Sequence, residues 1–519
     1  MTLRFTKTLA LRARRRACAG LGAAASLLLT AACTAQAAPP LHWPVDPPPA
    51  VGARQPRLWV ALAPRLGSEP AAPPLVLQAA KGTLQLQDAA GRRVSAATIA
   101  LGWQQVPLQQ PLQLERLVAG PFASFETAEA RAEQWRALGV SVSVAQPREW
   151  ELWAPLASPL PAGWTARPFR ARLHQVLEPR LLRPRQDPGR LQGPLLIEAP
   201  GGLRWRGATY RGPFRLQRDA HGSWTLVEQV PLERYLEGVV PHEIGAGAPA
   251  AALAAQTVLA RTWALRNQHR YRTDGYHLCA SVQCQVYSDP ALANAAVRAA
   301  IGSTSGLLLT WQQEPIHAVY HATNGGVAAP LDEAWDAQPL PYLRAGLDAQ
   351  PPRPLLLPLP PSPLALAPLL ASRAFVGADH PRFRWTRELD RQQVAAALVR
   401  QGIRVGEVER LQVLERGSSG RVLALAIEGS GGRTVLRRDA IRRTLRTLPS
   451  TLFELRQQSP GRWVVRGGGF GHGVGLSQAG AIALGRMGWT YQAILERYYP
   501  GTRLQSLASL AASDPGGDP

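Results

Sequence analysis

The stretch "GGGFGHGVGLSQAGAIALGRMGWTYQAILERYYPGT" occupies residues 467–502. Six glycines fall between Gly467 and Gly475, with His472 in their midst, and two short helical segments follow at "AGAIALGRMGW" and "TYQAILERYYPG". A nucleotide loop is excluded. The G-x-G-x-x-G spacing fits nowhere in the run, and a P-loop needs a lysine after it, whereas the chain has only Lys7 and Lys81. Two readings remain. The run is a tight structural turn, or it is a loop whose glycines let backbone come close to a ligand beside His472, Ser477 and Gln478.

Three stretches further back carry residues of the same reactive kind. In "VPLERYLEGVVPHEIGAGAP" (230–249) Glu243 stands just before an alanine-rich helical segment. A carboxyl held there in a partly apolar cleft has a raised pKa and suits general acid work; the bland reading is an acid complementing a helix terminus. In "HLCASVQCQVY" (277–287), His277, Cys279 and Cys284 supply three soft ligands for zinc, or the two cysteines close a small loop as a disulfide. In "HAVYHATNGG" (317–326) an expected strand runs into a turn at Asn324, Gly325 and Gly326. His317 and His321 share one face of that strand, where plain packing is the alternative.

The 519 residues leave room for two or more domains, and 46% hydrophobic with 18% charged residues reads as a folded chain. The net charge of +22 is almost all arginine. A basic surface favours polyanions, yet no helix-turn-helix, finger or RNA-binding signature accompanies it, so no nucleic acid partner is expected. Residues 1–37 read as a signal peptide: Arg4, Lys7, Arg12, Arg14, Arg15 and Arg16, then "ACAGLGAAASLLLTAA", then "AQA" at 35–37. Removing them takes away six positive charges and no acid, leaving about +16 from the +22. "TAAC" ending at Cys33 is a lipoprotein alternative, so membrane attachment is expected only through lipid on Cys33. Cys18 leaves with the leader; Cys279 and Cys284 stay, in an exported periplasmic or envelope protein.

Along the chain, 38–54 is a proline-rich linker and 55–170 an accessory region of alternating apolar strands. Within it "LERLVAGPFASFETAEARAEQWRALGVSVSVAQ" (114–146) reads strand, turn, helix, strand. Ser124 or Thr127 caps the helix, and Ala128, Ala132, Trp135 and Leu138 form its apolar face. The segment resembles a SPOR-like module, a fold associated with peptidoglycan binding, though it also suits an ordinary β-α-β unit. Residues 149–230 look β-rich, with turns at "APGG" (199–202) and "DAHG" (219–222), and 248–270 reads as a helix with Pro249 near its first turn. Residues 350–368 form a proline-dense surface insertion in a domain spanning 171–505, and 506–519 a flexible tail.

Six blocks together, "VPLERYLEGVVPHEI" (230–244), "AAQTVLARTWAL" (254–265), "CQVY" (284–287), "YHATNGG" (320–326), "LPSTLFEL" (448–455) and the stretch 469–502, resemble the SpoIID/LytB family, the stage II sporulation protein D and amidase enhancer group. The resemblance covers roughly 200–505. It implies a mixed, β-rich α+β catalytic domain with a few helices, preceded by the smaller accessory region. It further implies a lytic transglycosylase that cuts peptidoglycan strands stripped of stem peptides between N-acetylmuramic acid and N-acetylglucosamine, leaving 1,6-anhydro ends. The family glutamate lands on Glu243 of "PHEI", where His242 and Ile244 depart from the usual neighbours. By the same resemblance Arg261, Tyr320, His321, Asn324, Gly325, Gly326, His472, Ser477 and Gln478 would line the glycan groove, an arginine meeting the lactyl carboxylate. Zinc beside the glutamate would fall on His277, Cys279 and Cys284, although Gln283 leaves no obvious fourth ligand. The non-catalytic alternative is a wall-binding protein that stimulates a cell-wall amidase. Nothing in the sequence speaks of spores.

Overall fold

A computed structural model describes residues 38–52, 54–182, 189–349 and 363–512; the expected leader, Cys18 and Cys33 lie outside them, as does most of the proline-dense insertion. The fold is α+β and β-rich. Two seven-stranded sheets make its first half. In one, Arg57–Leu66 pairs antiparallel with Trp224–Pro231 and parallel with Leu278–Cys279, so the "HLCA" segment is stitched directly to the first strand. In the other, the 25-residue strand Thr98–Phe122 pairs with Arg167–Leu181. Strands from before and after residue 170 share both sheets, so the accessory region and the strands beyond it form one body of hydrogen-bonded β-structure.

The helix expected in the accessory region runs Phe125–Arg136, capped by Ser124, whose side chain accepts from the Thr127 amide. Ala128, Ala132 and Trp135 are buried as expected, with Phe125 added. Leu138 lies beyond the helix end, after the cap at Ala137 and just before the left-handed turn at Gly139 (φ +76°), and is half exposed. The proline-rich segment 39–52 is docked rather than dangling. Trp43 donates to the Ala220 carbonyl, and Arg116 reaches the Leu41 carbonyl.

Ala250–Arg266 is buried on every side from Ala252 to Leu265, which an almost wholly apolar helix requires. Two shorter helices pack on it, Gln478–Arg486 and Tyr491–Tyr498. Ser477 and Thr490 cap them by accepting from Gly480 and Ala493. Beyond residue 330 a second core gathers Trp385, Leu398, Ile427, Ile441 and Trp463 between two three-stranded sheets. The end of the proline-dense stretch forms a helix, Pro363–Ala371, with Leu366 and Leu369 buried against Phe375 and Phe383. Arg384 caps that helix by donating to the carbonyls of Leu369 and Ser372. Leu507–Ala512 is helical where a flexible tail was expected. Among the described residues no helix is long and apolar enough to cross a membrane.

Candidate active site

Glu243 sits in a π-helical turn, Pro241–Gly245, between the helices Leu232–Glu237 and Ala250–Arg266. Such turns often mark functional sites. Pro241 opens the turn and Gly245, at φ +86°, closes it. Glu243 Oε1 accepts from the Val286 amide at 2.9 Å, while the Tyr320 hydroxyl and the Gln478 amide approach the same carboxyl. Burial raises its pKa above the usual carboxylate value, and the hydrogen bonds from Val286, Tyr320 and Gln478 oppose that rise only in part. All of these influences are neutral. A proton is therefore held on Glu243 to higher pH than on a free glutamate.

The surroundings of that carboxyl are themselves fixed. Gln285, fully buried, donates to the Ala260 carbonyl and the Tyr235 hydroxyl, and its Oε1, 2.8 Å from Tyr320 Oη, shares the single tyrosine proton with the Glu243 carboxyl. Gln478 Nε2 donates to Gln256 Oε1 at 3.3 Å. A cleft of about 460 Å³ opens above, walled by Trp263, Val286, Val319, Tyr320, Trp335 and His472. Its polar end holds Ser124, Glu126, Arg270, Asp439, Arg442 and Arg443.

His472 belongs to this wall in a neutral form. Val474 N–H donates to its Nδ1 at 3.1 Å, so Nε2 carries the proton and donates to the Tyr320 carbonyl at 2.9 Å. Burial first, then the Arg442 charge, pushes its pKa down to about 3. The ring thus ties the glycine loop to the strand bearing Tyr320. His321 packs behind it, 5.2 Å between ring centroids, and donates from Nδ1 to the Val474 carbonyl.

Several residues expected in the groove are placed elsewhere. Arg261 is fully buried, its three nitrogens taken by both Glu233 carboxylate oxygens and the Leu307 carbonyl. Asn324 is fully buried too, donating to Asp348 and accepting from the Gly326 amide. His321 and Ser477 are buried, and Ser477 spends its hydroxyl as a helix cap. Gly325 and Gly326 face the protein itself. A Cβ on Gly325 would stand 2.5 Å from the Gly468 carbonyl carbon, and one on Gly326 would meet the Phe375 ring at 2.6 Å. The same holds across the glycine run: a Cβ on Gly469 would come within 2.8 Å of the Thr323 carbonyl oxygen. The glycines therefore interlock two protein loops, with Thr323 bridged to Phe470 and Tyr320 paired with Leu476. Their close approach is to the chain, which corrects the expectation that they open the groove to a glycan.

The soft-ligand cluster does not fit zinc as expected. Trp59 N–H donates to His277 Nδ1 at 2.8 Å, so Nε2 carries the proton and donates to the Pro49 carbonyl at 2.9 Å. No lone pair of His277 is left for a metal. Among the described residues no three His, Cys, Asp or Glu side chains cluster as metal ligands. Cys279 and Cys284 are free thiols in contact, the Cys279 amide donating to Cys284 Sγ at 3.0 Å. Sequence reasoning missed Gln285 and Gln256, although both sit inside quoted blocks. It also missed Trp335, and it missed Asp439 and Arg442, which nothing in the arginine-rich run 437–446 distinguishes from solvated surface.

Residues 220–311 match the family model described as stage II sporulation protein (SpoIID), and residues 329–475 match a domain of unknown function (DUF8618). Over 300 residues the chain is 27% identical to the amidase enhancer of Bacillus subtilis (strain 168), covering 52% of this chain and 40% of that one. It is 27% identical over 293 residues to stage II sporulation protein D of the same organism, covering 54% of this chain and 75% of the relative. A stage II sporulation protein D from Bacillus amyloliquefaciens is also 27% identical, over 301 residues, 54% of this chain and 76% of the relative. The chain thus spans less than half the length of the amidase enhancer.

Proposed function

From a chain that carries a SpoIID-family domain and a cell-wall-related role with it, we propose a peptidoglycan lytic transglycosylase with Glu243 as its single catalytic group. One observation supports this reading: a carboxyl lining the cleft, its pKa raised by burial and its ionisation touched by no other acid, while the remaining cleft acids, Glu126 and Asp439, stand with the arginines of the polar end. A glycosidase that manages water or a covalent intermediate needs two carboxylates across the scissile bond, and Glu243 has no second acid among the groups that set its ionisation.

One carboxyl is enough when the nucleophile is already in the sugar. Protonated Glu243 gives its proton to the glycosidic oxygen as the C1–O4 bond breaks, and the 4-hydroxyl departs. The muramic C6 hydroxyl attacks C1, forming the 1,6-anhydro bond, and its proton returns to the Glu243 carboxylate. The acid is regenerated and no water enters. Because the hydroxyl is tethered, much of its ordering entropy is already spent. Tyr320 and Gln478 stabilise the carboxylate half of the cycle, and Val286 N–H fixes its orientation. No step runs through a metal at His277.

A second reading draws on the amidase enhancer relative: the cleft binds glycan without cutting it and the protein stimulates a wall amidase. Digestion of purified glycan strands by the chain and by Glu243→Gln, read by mass spectrometry, separates the two. Anhydro-muramic ends lost in the variant carry the enzyme reading; bound but uncut strands carry the other.

A further inference from the structure

Three arginines line the cleft, and two are already spent. Arg270 pairs with Glu126 and donates to the Gln283 carbonyl. Arg443 pairs with Glu149. Arg442, half-buried on the helix Asp439–Thr444, has no hydrogen bond, ion pair or aromatic ring for its guanidinium among the described residues. It faces His472, whose protonation it opposes more than any other charge does, and His472 is bonded to the backbone of Tyr320 beside Glu243. The groups that act on Glu243 are neutral, so Arg442 is a separate anchoring point along the same cleft.

A guanidinium lodged in a half-buried wall without an acceptor is completed by an oxyanion, best by a carboxylate taken through two parallel hydrogen bonds. Asp439, one turn earlier and also facing the cleft, keeps the local charge low, which suits a single carboxylate better than a phosphate. We propose that Arg442 is the carboxylate-binding subsite of the Glu243 cleft. Its ligand is the lactyl carboxylate that N-acetylmuramic acid exposes once its stem peptide has been removed. The subsite rests on the glycan-binding reading above. It is supplied by the 329–475 segment, outside the SpoIID-matched residues, so substrate choice belongs to that segment and the chemistry to Glu243.

The test uses the full chain with Glu243→Gln, so that binding is read without turnover. Its probes are three glycan preparations: free lactyl carboxylates, the same strands with those groups converted to methylamides, and strands keeping their stem peptides. The parent is expected to bind the free acid about ten-fold or more tightly than the methylamide. Arg442→Gln should erase that difference while leaving methylamide affinity unchanged, which shows the cleft intact, and Arg442→Lys should keep part of it. Equal discrimination by Arg442→Gln, or none by the parent, overturns the subsite. Tight, Arg442-dependent binding of peptide-bearing strands overturns the lactyl assignment in favour of a stem-peptide carboxylate. Arg442-dependent discrimination alongside a wild type that cuts nothing supports the subsite and defeats the transglycosylase.

Discussion

The Val286 amide holds Glu243 Oε1 at 2.9 Å across 43 residues of chain, which makes the Cys279–Tyr287 segment a wall of the cleft. Two residues before Val286, Cys284 faces the cleft; one residue before it, Gln285 bonds Tyr320. Acid, tyrosine and backbone donor are thus set by three separate stretches. The Glu243→Gln variant should bind glycan as the wild type does and lose cleavage by at least about 10²-fold, the scale of general acid–base work. Equal turnover by the variant removes Glu243 from the chemistry.

The pH profile depends on the same geometry. Burial raises the Glu243 pKa, so the acid form persists above the ordinary carboxylate range and turnover falls as pH climbs through the raised value. Tyr320 and Gln478 favour the carboxylate and so hold that pKa down. Removing either as Tyr320→Phe or Gln478→Ala raises it further. The falling limb of the profile is then expected to move to higher pH, with about a ten-fold loss at the optimum. A limb that moves to lower pH, or stays, contradicts the assignment.

The same shift has a cost in stability. A carboxyl whose folded pKa exceeds its unfolded value contributes fully below the unfolded pKa and loses that contribution as pH rises through the folded one. Glu243→Gln carries no such penalty, so its melting temperature should exceed that of the wild type at pH 7, by an amount of order 1 °C. The gap should close near pH 4. Calorimetry at both pH values checks the sign.

Local signals were legible where they were local. Ser124 was readable as a cap because a short polar side chain before an apolar run favours that use, whereas Ser477, expected in the glycan groove, and Thr490 emerge as caps only in the structure. Glu243 and Tyr320 were reached through the motifs that carry the resemblance. The roles of Arg261, Asn324 and the glycines were not legible, because each depends on which distant segment packs on it: Glu233, Asp348 and the 467–475 loop. Arg442 was invisible for the opposite reason. Its distinction is that no partner among the described residues takes its guanidinium, and a sequence shows residues, not their contacts.

The two cysteines offer a direct test of the compartment. His277 has both nitrogens committed to backbone, so His277→Ala should leave the metal content of the purified chain unchanged. In an oxidising envelope Cys279 and Cys284, already in contact, are expected to form a disulfide. Alkylation of the denatured, non-reduced protein should then label neither; labelling of both shows that the thiols persist.

Two glycines outside the 467–475 run separate strain from collision. Gly245 and Gly325 both have positive φ, +86° and +70°. A Cβ on Gly245 meets nothing within 4 Å, whereas one on Gly325 meets the Gly468 carbonyl carbon at 2.5 Å. Gly245→Ala should therefore cost only the backbone strain, about 1 kcal/mol. Gly325→Ala has to part the two interlocked loops as well, and should cost about 3 kcal/mol or more. Because those loops carry His472 and Tyr320, the second variant should also lose glycan binding in proportion to its lost stability, while the first keeps it. Urea melts of both variants decide the matter: equal losses would mean that the glycines serve φ alone and that the loops can separate without penalty.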